Sequence, residues 1–286
     1  MVNADDKMLS RPPFAVVNSL GPLQVGAEMV ACFMRIGARS DRLEYAHELV
    51  SRSVGLADSE PLLKAGRAIA RDIDRGVGAG VATGYHNGQH LLEVMLTARY
   101  LAQLASLDPH RTARVVTAAL IHDFHHDGAR GTSSPFRLEH VAAREAIPYL
   151  RSAGVDDHEC LSLQALVLAT DCQSGVPFAL ACWAHHVTGE PAVPQISGLP
   201  PQLQQLRVDP HLALEAILLT EADVLPSIGF TFDHAEELQS RLAAEWGITM
   251  GRADKLQFID RMVENISLAT FFIPSIRALR QQYLSA

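Results

Sequence analysis

Apolar residues recur every three or four positions along almost the whole chain, and this spacing restricts the possible folds more than any other feature of the sequence. The segments 25–36, 42–54 and 61–73 each carry one apolar stripe at helical spacing. The same pattern places further helices near 88–105, 109–123, 136–152, 158–170, 178–186, 210–224, 234–246, 253–272 and 275–284. No sustained alternation of Val, Ile or Tyr with polar residues marks a sheet. The expectation is an all-α bundle. Its 286 residues suffice for one large domain without disulfide support. Residues 1–20 are expected to form a leader, disordered in part. Residues 21–80 should add helices that pack on a chemistry-bearing bundle spanning 81–286.

Charge and composition exclude several function classes. A formal net charge of −8 argues against a polyanionic partner such as duplex DNA. The cysteines Cys32, Cys160, Cys172 and Cys182 lack paired spacing and read as reduced packing residues, as expected in the cytoplasm. The first residues, Met1 to Lys7, are acidic and lack the apolar core of a secretion signal. No apolar stretch reaches the roughly 18 residues a membrane span requires. Two Pro/Gly/Ser-rich stretches, 127–135 and 187–201, read as loops that border the site, and the second has the length of a lid.

Chemistry concentrates in a few polar residues set against apolar surroundings. His122-Asp123 closes the run Val115-Val116-Thr117-Ala118-Ala119-Leu120-Ile121, and Asp223 follows the heavily apolar segment 212–219 and precedes Val224-Leu225. An ionised Asp in such a position costs several kcal/mol and persists when paired or bound to a metal. Together with His90 these residues form a mixed imidazole and carboxylate donor set suited to Zn, Mn, Fe or Mg. Adjacent residues on a helix point about 100° apart, so His122 and Asp123 would converge on one ion only at a helix end, or if the carboxylate reaches sideways to bridge two ions. Asn87 is a good helix N-cap, which sets His86 just outside a helix and His90 in its first turn.

The ordered set Tyr85-His86-Asn87 with His90, Ala119-Leu120-Ile121-His122-Asp123-Phe124-His125-His126-Asp127-Gly128, Leu168-Ala169-Thr170-Asp171, Ala222-Asp223 and Phe258-Ile259-Asp260 resembles the signature segments of class I cyclic-nucleotide phosphodiesterases, within the HD-domain superfamily. The match runs from about residue 84 to 273. It implies an HD-domain, PDEase-like helical bundle that hydrolyses a small phosphoester, a cyclic nucleotide or another nucleotide, using two divalent ions. By resemblance, His90, His122, Asp123 and Asp223 would bind the first ion, and Asp123 would bridge to a second. His86 would be the general acid, with Glu139 as the carboxylate that orients and charges it. His126 and Asp171 would lie one layer behind the second ion. Tyr85, Phe258 and Lys255 would line the substrate pocket, with Phe258 as the clamp on the base.

Several positions depart from that pattern. His125 stands where the family has Asp, Asp127 where it has Pro, and the asparagine expected near 129–131 is missing. Lys255 occupies the place of the purine-selecting glutamine, three residues before Phe258. Other readings are a broad nucleotide phosphohydrolase, an HD enzyme whose second metal draws on His140, His158, His185 or His186, and a sensor module without catalysis. The presence of all four first-ion ligands argues against the sensor.

Overall fold

Capping chemistry written into the sequence sets most of the helix starts. Asp108, Asp156, Asp209 and Thr231 each accept backbone N–H groups of the following turn, and Pro22, Pro61, Pro109 and Pro210 occupy first-turn positions where no N–H is needed. The structure, a computed structural model, describes residues 4–57, 59–129 and 134–285. Among these lie thirteen α-helices: α1 (Ala4–Leu9), α2 (Pro22–Gly37), α3 (Arg42–Val54), α4 (Pro61–Asp74), α5 (Gly88–Leu104), α6 (Pro109–Ile121), α7 (Arg137–Ala153), α8 (Asp157–Leu168), α9 (Gly175–Thr188), α10 (Pro210–Ile228), α11 (Phe232–Glu245), α12 (Arg252–Asn265) and α13 (Ile273–Ser285). Short 3-10 turns cover Pro201–Arg207 and Ala269–Phe272. The described residues contain no β-strand, only one isolated bridge between Gly80 and Asn87. No described helix is long and apolar enough to cross a membrane.

Helix α5 is the axis of the bundle. It is buried on nearly every side and packs against α2, α3, α6 and α10. One hydrophobic core runs from Phe14 to Tyr283, so the N-terminal helices share it with the rest. A buried ion network ties α6 to α8 and α10: Arg114 bonds Glu159 at 2.5 Å and Glu215 at 2.9 Å, and Arg111 bonds Glu215 at 2.6 Å. Glu215 is fully shielded, so breaking one arm would strand a buried charge.

Three expectations need correction. From Ala4 onward the presumed leader is packed: Phe14 is buried, Tyr45 donates to Asp5 at 2.7 Å, and Arg52 pairs with Asp5 at 3.0 Å. The helix expected over 253–272 stops at Asn265, because the buried Glu221 carboxylate accepts the N–H groups of Ser267, Leu268 and Ala269 and holds the chain in a tight turn. Apolar spacing continues through Met262, Val263, Ile266 and Leu268 and so conceals the break. Residues 187–201 do not border the histidine cavities. Arg207 holds the carbonyls of Val193 and Pro194, and Val193, Ile196 and Leu199 pack on the core.

Candidate metal centre and substrate cleft

A tight turn presents His86. Gly80 has φ +70°, and a Cβ there would lie 2.0 Å from the His86 carbonyl, so the close backbone pairing of the Gly80–Asn87 bridge requires glycine. Asn87 then caps α5, with its Oδ1 accepting from Gln89 N at 2.8 Å and His90 N at 3.1 Å while its Nδ2 donates to the Gly84 carbonyl at 2.6 Å. His86 therefore stands outside the helix and His90 within its first turn. The two imidazoles face one cleft from different backbone settings.

The second histidine of the cluster follows the end of α6. Its last helical residue is Ile121, and the chain turns through His122 and Asp123, which frees these neighbours from the angular separation of a continuous helix. His122 Nδ1 lies 2.8 Å from the Ala119 carbonyl, so this nitrogen carries the proton and Nε2 faces the cluster. Asp223 arrives from α10 one turn before Pro226, which has no N–H to give the Ala222 carbonyl.

Four side chains from three segments thus meet. His90 Nε2 lies 3.3 Å from His122 Nε2, 3.2 Å from Asp123 Oδ2 and 3.1 Å from Asp223 Oδ1; His122 Nε2 lies 3.2 Å from Asp123 and 3.6 Å from Asp223. Donors about 2.0–2.2 Å from a common tetrahedral ion would be separated by about 3.3–3.6 Å, so the spacing of His90, His122 and Asp223 fits a divalent cation, with the Asp123 carboxylate 3.2 Å from both imidazoles. Electrostatics agrees. Burial disfavours charge on His90, yet hydrogen bonds to Asp123 and Asp223 lift its pKa to about 9. His122 is likewise raised despite burial, by Asp123 first, and both carboxylates are held low despite burial by the imidazoles. The four groups carry a balanced set of charges, and a divalent ion could replace the two imidazole protons.

Around this cluster lie three cavities. One, of about 230 Å³, is lined by His86, Asp123, His126, Glu139 and Asp171; a second, of about 240 Å³, by Tyr85, His86, Gln239, Lys255 and Phe258; a third, of about 800 Å³, by Thr170, Pro177, Phe258, Arg261 and Met262. Asp223 and Trp246 border all three. The His126 ring stacks on His86 with centroids 3.8 Å apart, and its Nδ1 accepts the Gly128 N–H at 3.0 Å. Tyr85 lies on the His90 ring at 4.6 Å and shares a hydrogen bond with Ser227.

The carboxylate on His86 is not Glu139. Glu245 places Oε1 2.5 Å from His86 Nδ1, and its other oxygen accepts the His86 backbone N–H at 3.0 Å. Burial works against the charge on Glu245, but His86 holds its carboxyl below the usual range. Glu139 instead lines the small cavity, where burial raises its pKa to about 7. Asp171 is committed to backbone, accepting from Phe136, Gln173, Ser174 and Gly175. His185 and His186 bond the carbonyls of Pro191 and Leu206, while His140 and His158 are exposed, so none of these joins the cluster. Cys172 is exposed, whereas Cys32, Cys160 and Cys182 are buried.

Sequence reasoning missed Glu245, Trp246, Gln239 and Arg261. Glu245 ends an amphipathic helix where a solvated Glu is ordinary, and no local pattern marks it. Trp246, one of only two tryptophans, was the one available signal.

No family model matches the sequence, and no curated protein does. Solved structures match over nearly the full chain. The phosphodiesterase domain of the RhoPDE fusion protein from the choanoflagellate Salpingoeca rosetta superposes with a TM-score of 0.61 at 16% identity, covering 98% of this chain and 97% of that one. LmjPDEB1 in complex with IBMX gives the same TM-score and identity, covering 99% and 98%. The fold is that of phosphodiesterase catalytic domains.

Proposed function

We propose that this chain, on its phosphodiesterase fold, is a metal-dependent hydrolase of a small phosphodiester, with 3′,5′-cyclic nucleotides as the substrate class. The observation that carries this reading is the convergence of His90, His122 and Asp223 within 3.1–3.6 Å, with Asp123 3.2 Å from both imidazoles, beside the separately held His86. His90, His122, Asp123 and Asp223 would hold the first divalent ion. Asp123, which also lines the small cavity, would offer a carboxylate oxygen to a second. Ions bound there would make a water more acidic and neutralise charge on the phosphoryl oxygens.

The chain's own groups supply the rest. His86 has its Nδ1 occupied by Glu245, which leaves Nε2 to carry a proton to the departing sugar oxygen. The Glu245 carboxylate fixes the ring orientation. His126, stacked on the face of the ring, restrains it from turning. Phe258 and Tyr85 offer aromatic surface to the group carried by the phosphate.

The test is turnover by the purified protein loaded with Mn²⁺ or Zn²⁺ against cyclic nucleotides, nucleoside mono- and triphosphates, and bis-p-nitrophenyl phosphate. Diester hydrolysis abolished by a chelator is the expected result. Faster release of phosphate from mono- or triphosphates would make the protein a nucleotidase. Stoichiometric metal without turnover of any of these would leave a binding module.

A further inference from the structure

Lys255 is the one lysine that packing draws into the cleft. It is 3% exposed, lines the 240 Å³ cavity with His86, Tyr85 and Phe258, and its Nζ has one weak partner, the Ala235 carbonyl at 3.4 Å. Among the described residues no carboxylate lies within ion-pairing distance of it. The nearest acidic influence, Glu236, receives the Tyr283 hydroxyl. A buried ammonium has three N–H groups to satisfy and is costly to leave short of acceptors.

A second polar side chain in the same wall is also incomplete. Gln239 donates its Nε2 to the carbonyls of Met250 at 3.2 Å and Gly251 at 3.4 Å, which fixes the amide orientation, because a flip would set oxygen against two carbonyl oxygens. Its Oε1 is a buried acceptor with no partner. The Lys255 backbone N–H bonds the same Gly251 carbonyl at 3.2 Å, so the two residues are neighbours. The Phe258 ring lies 5.7 Å from Nζ.

We infer that this end of the cavity selects a ring bearing a carbonyl beside an N–H, the lactam edge of an oxo-purine or oxo-pyrimidine, with Lys255 donating to the carbonyl and Gln239 accepting the N–H. An ammonium only donates, so it favours a carbonyl oxygen and repels an exocyclic amino group set at the same point. Phe258 supplies the flat surface on which such a ring stacks. Lys255 is a specificity residue here. This inference rests on the phosphodiesterase reading of the same site.

The experiment compares wild type, Lys255→Met and Gln239→Leu, all metal-loaded, on cyclic GMP, cyclic UMP, cyclic AMP and bis-p-nitrophenyl phosphate. The expected wild-type order places the oxo-base substrates ahead of cyclic AMP. Lys255→Met should lower kcat/KM for the oxo-base substrates by about 10- to 100-fold, through KM, as befits a hydrogen bond to a charged group. The loss on bis-p-nitrophenyl phosphate should be much smaller, since that ester has no such edge. Titration calorimetry with GMP and AMP reads the same preference without turnover, so loss of the phosphodiesterase reading would not hide the result. A wild-type preference for cyclic AMP and AMP, or equal losses on all four substrates in Lys255→Met, would overturn the inference. Thermal unfolding of both variants separates a folding defect from a lost contact.

Discussion

Glu245 and His86 lie 159 residues apart in sequence, yet Glu245 Oε1 is 2.5 Å from His86 Nδ1 and Oε2 accepts the His86 backbone N–H. One carboxylate therefore fixes both the ring and the strand-like turn that bears it. Its side chain is 1% exposed, so the pair is little screened by water.

Glu245→Ala should lower kcat by about 10- to 100-fold while metal content is unchanged, because it releases His86 without touching the four-residue cluster. Glu245→Gln should recover part of the loss, since an amide oxygen still accepts from Nδ1. Full activity in Glu245→Ala would show that the contact is dispensable.

Asp123→Ala removes a carboxylate shared by His90 and His122 at 3.2 Å each. Elemental analysis should show loss of bound metal, and activity should vanish with it. Retention of full metal content would take Asp123 out of the ligand set.

His86→Ala should keep the metal but reduce turnover by about 10²–10⁴-fold on a nucleotide ester, the usual scale for a lost proton donor. The deficit should be much smaller on bis-p-nitrophenyl phosphate, whose leaving group departs without a proton. Identical deficits on both would point to a structural role for His86.

Lys255 gives a pH signature in stability. Burial lowers its pKa from 10.5 to about 8. The folded state thus binds fewer protons than the unfolded chain between these values, and stability associated with this group rises with pH across that window. Below pH 8 the folded protein bears the full cost of the buried charge, on the order of 3 kcal/mol. Lys255→Met should accordingly be more stable than wild type near pH 7, and the gap should narrow by pH 10.5. Denaturant melts at the two pH values check this, and a pH-independent gap would mean that the ammonium is well solvated in the fold.

How much of this was legible in the sequence follows from how far each interaction reaches. Helix starts depend on a cap and a few neighbours, so Asn87, Pro61 and Pro210 announced the boundaries at which α5, α4 and α10 begin. The residues of the metal cluster stood out because a carboxylate or imidazole beside apolar runs is costly without a partner, and Asp123 and Asp223 each sat in such a run. Tertiary packing decided the rest. Whether Glu139 or Glu245 meets His86 depends on how α11 ends against the 80–87 turn, and both glutamates look alike on their own helices. Lys255 could have extended into water from a helix start, but α11 closes over it and turns a surface residue into a wall of the cleft. Glu221 breaks the chain after Asn265 by capping N–H groups 46 to 48 residues away, a contact that no apolar spacing records. Periodicity reports which face of a helix is buried; only the assembled bundle determines which polar groups are buried together.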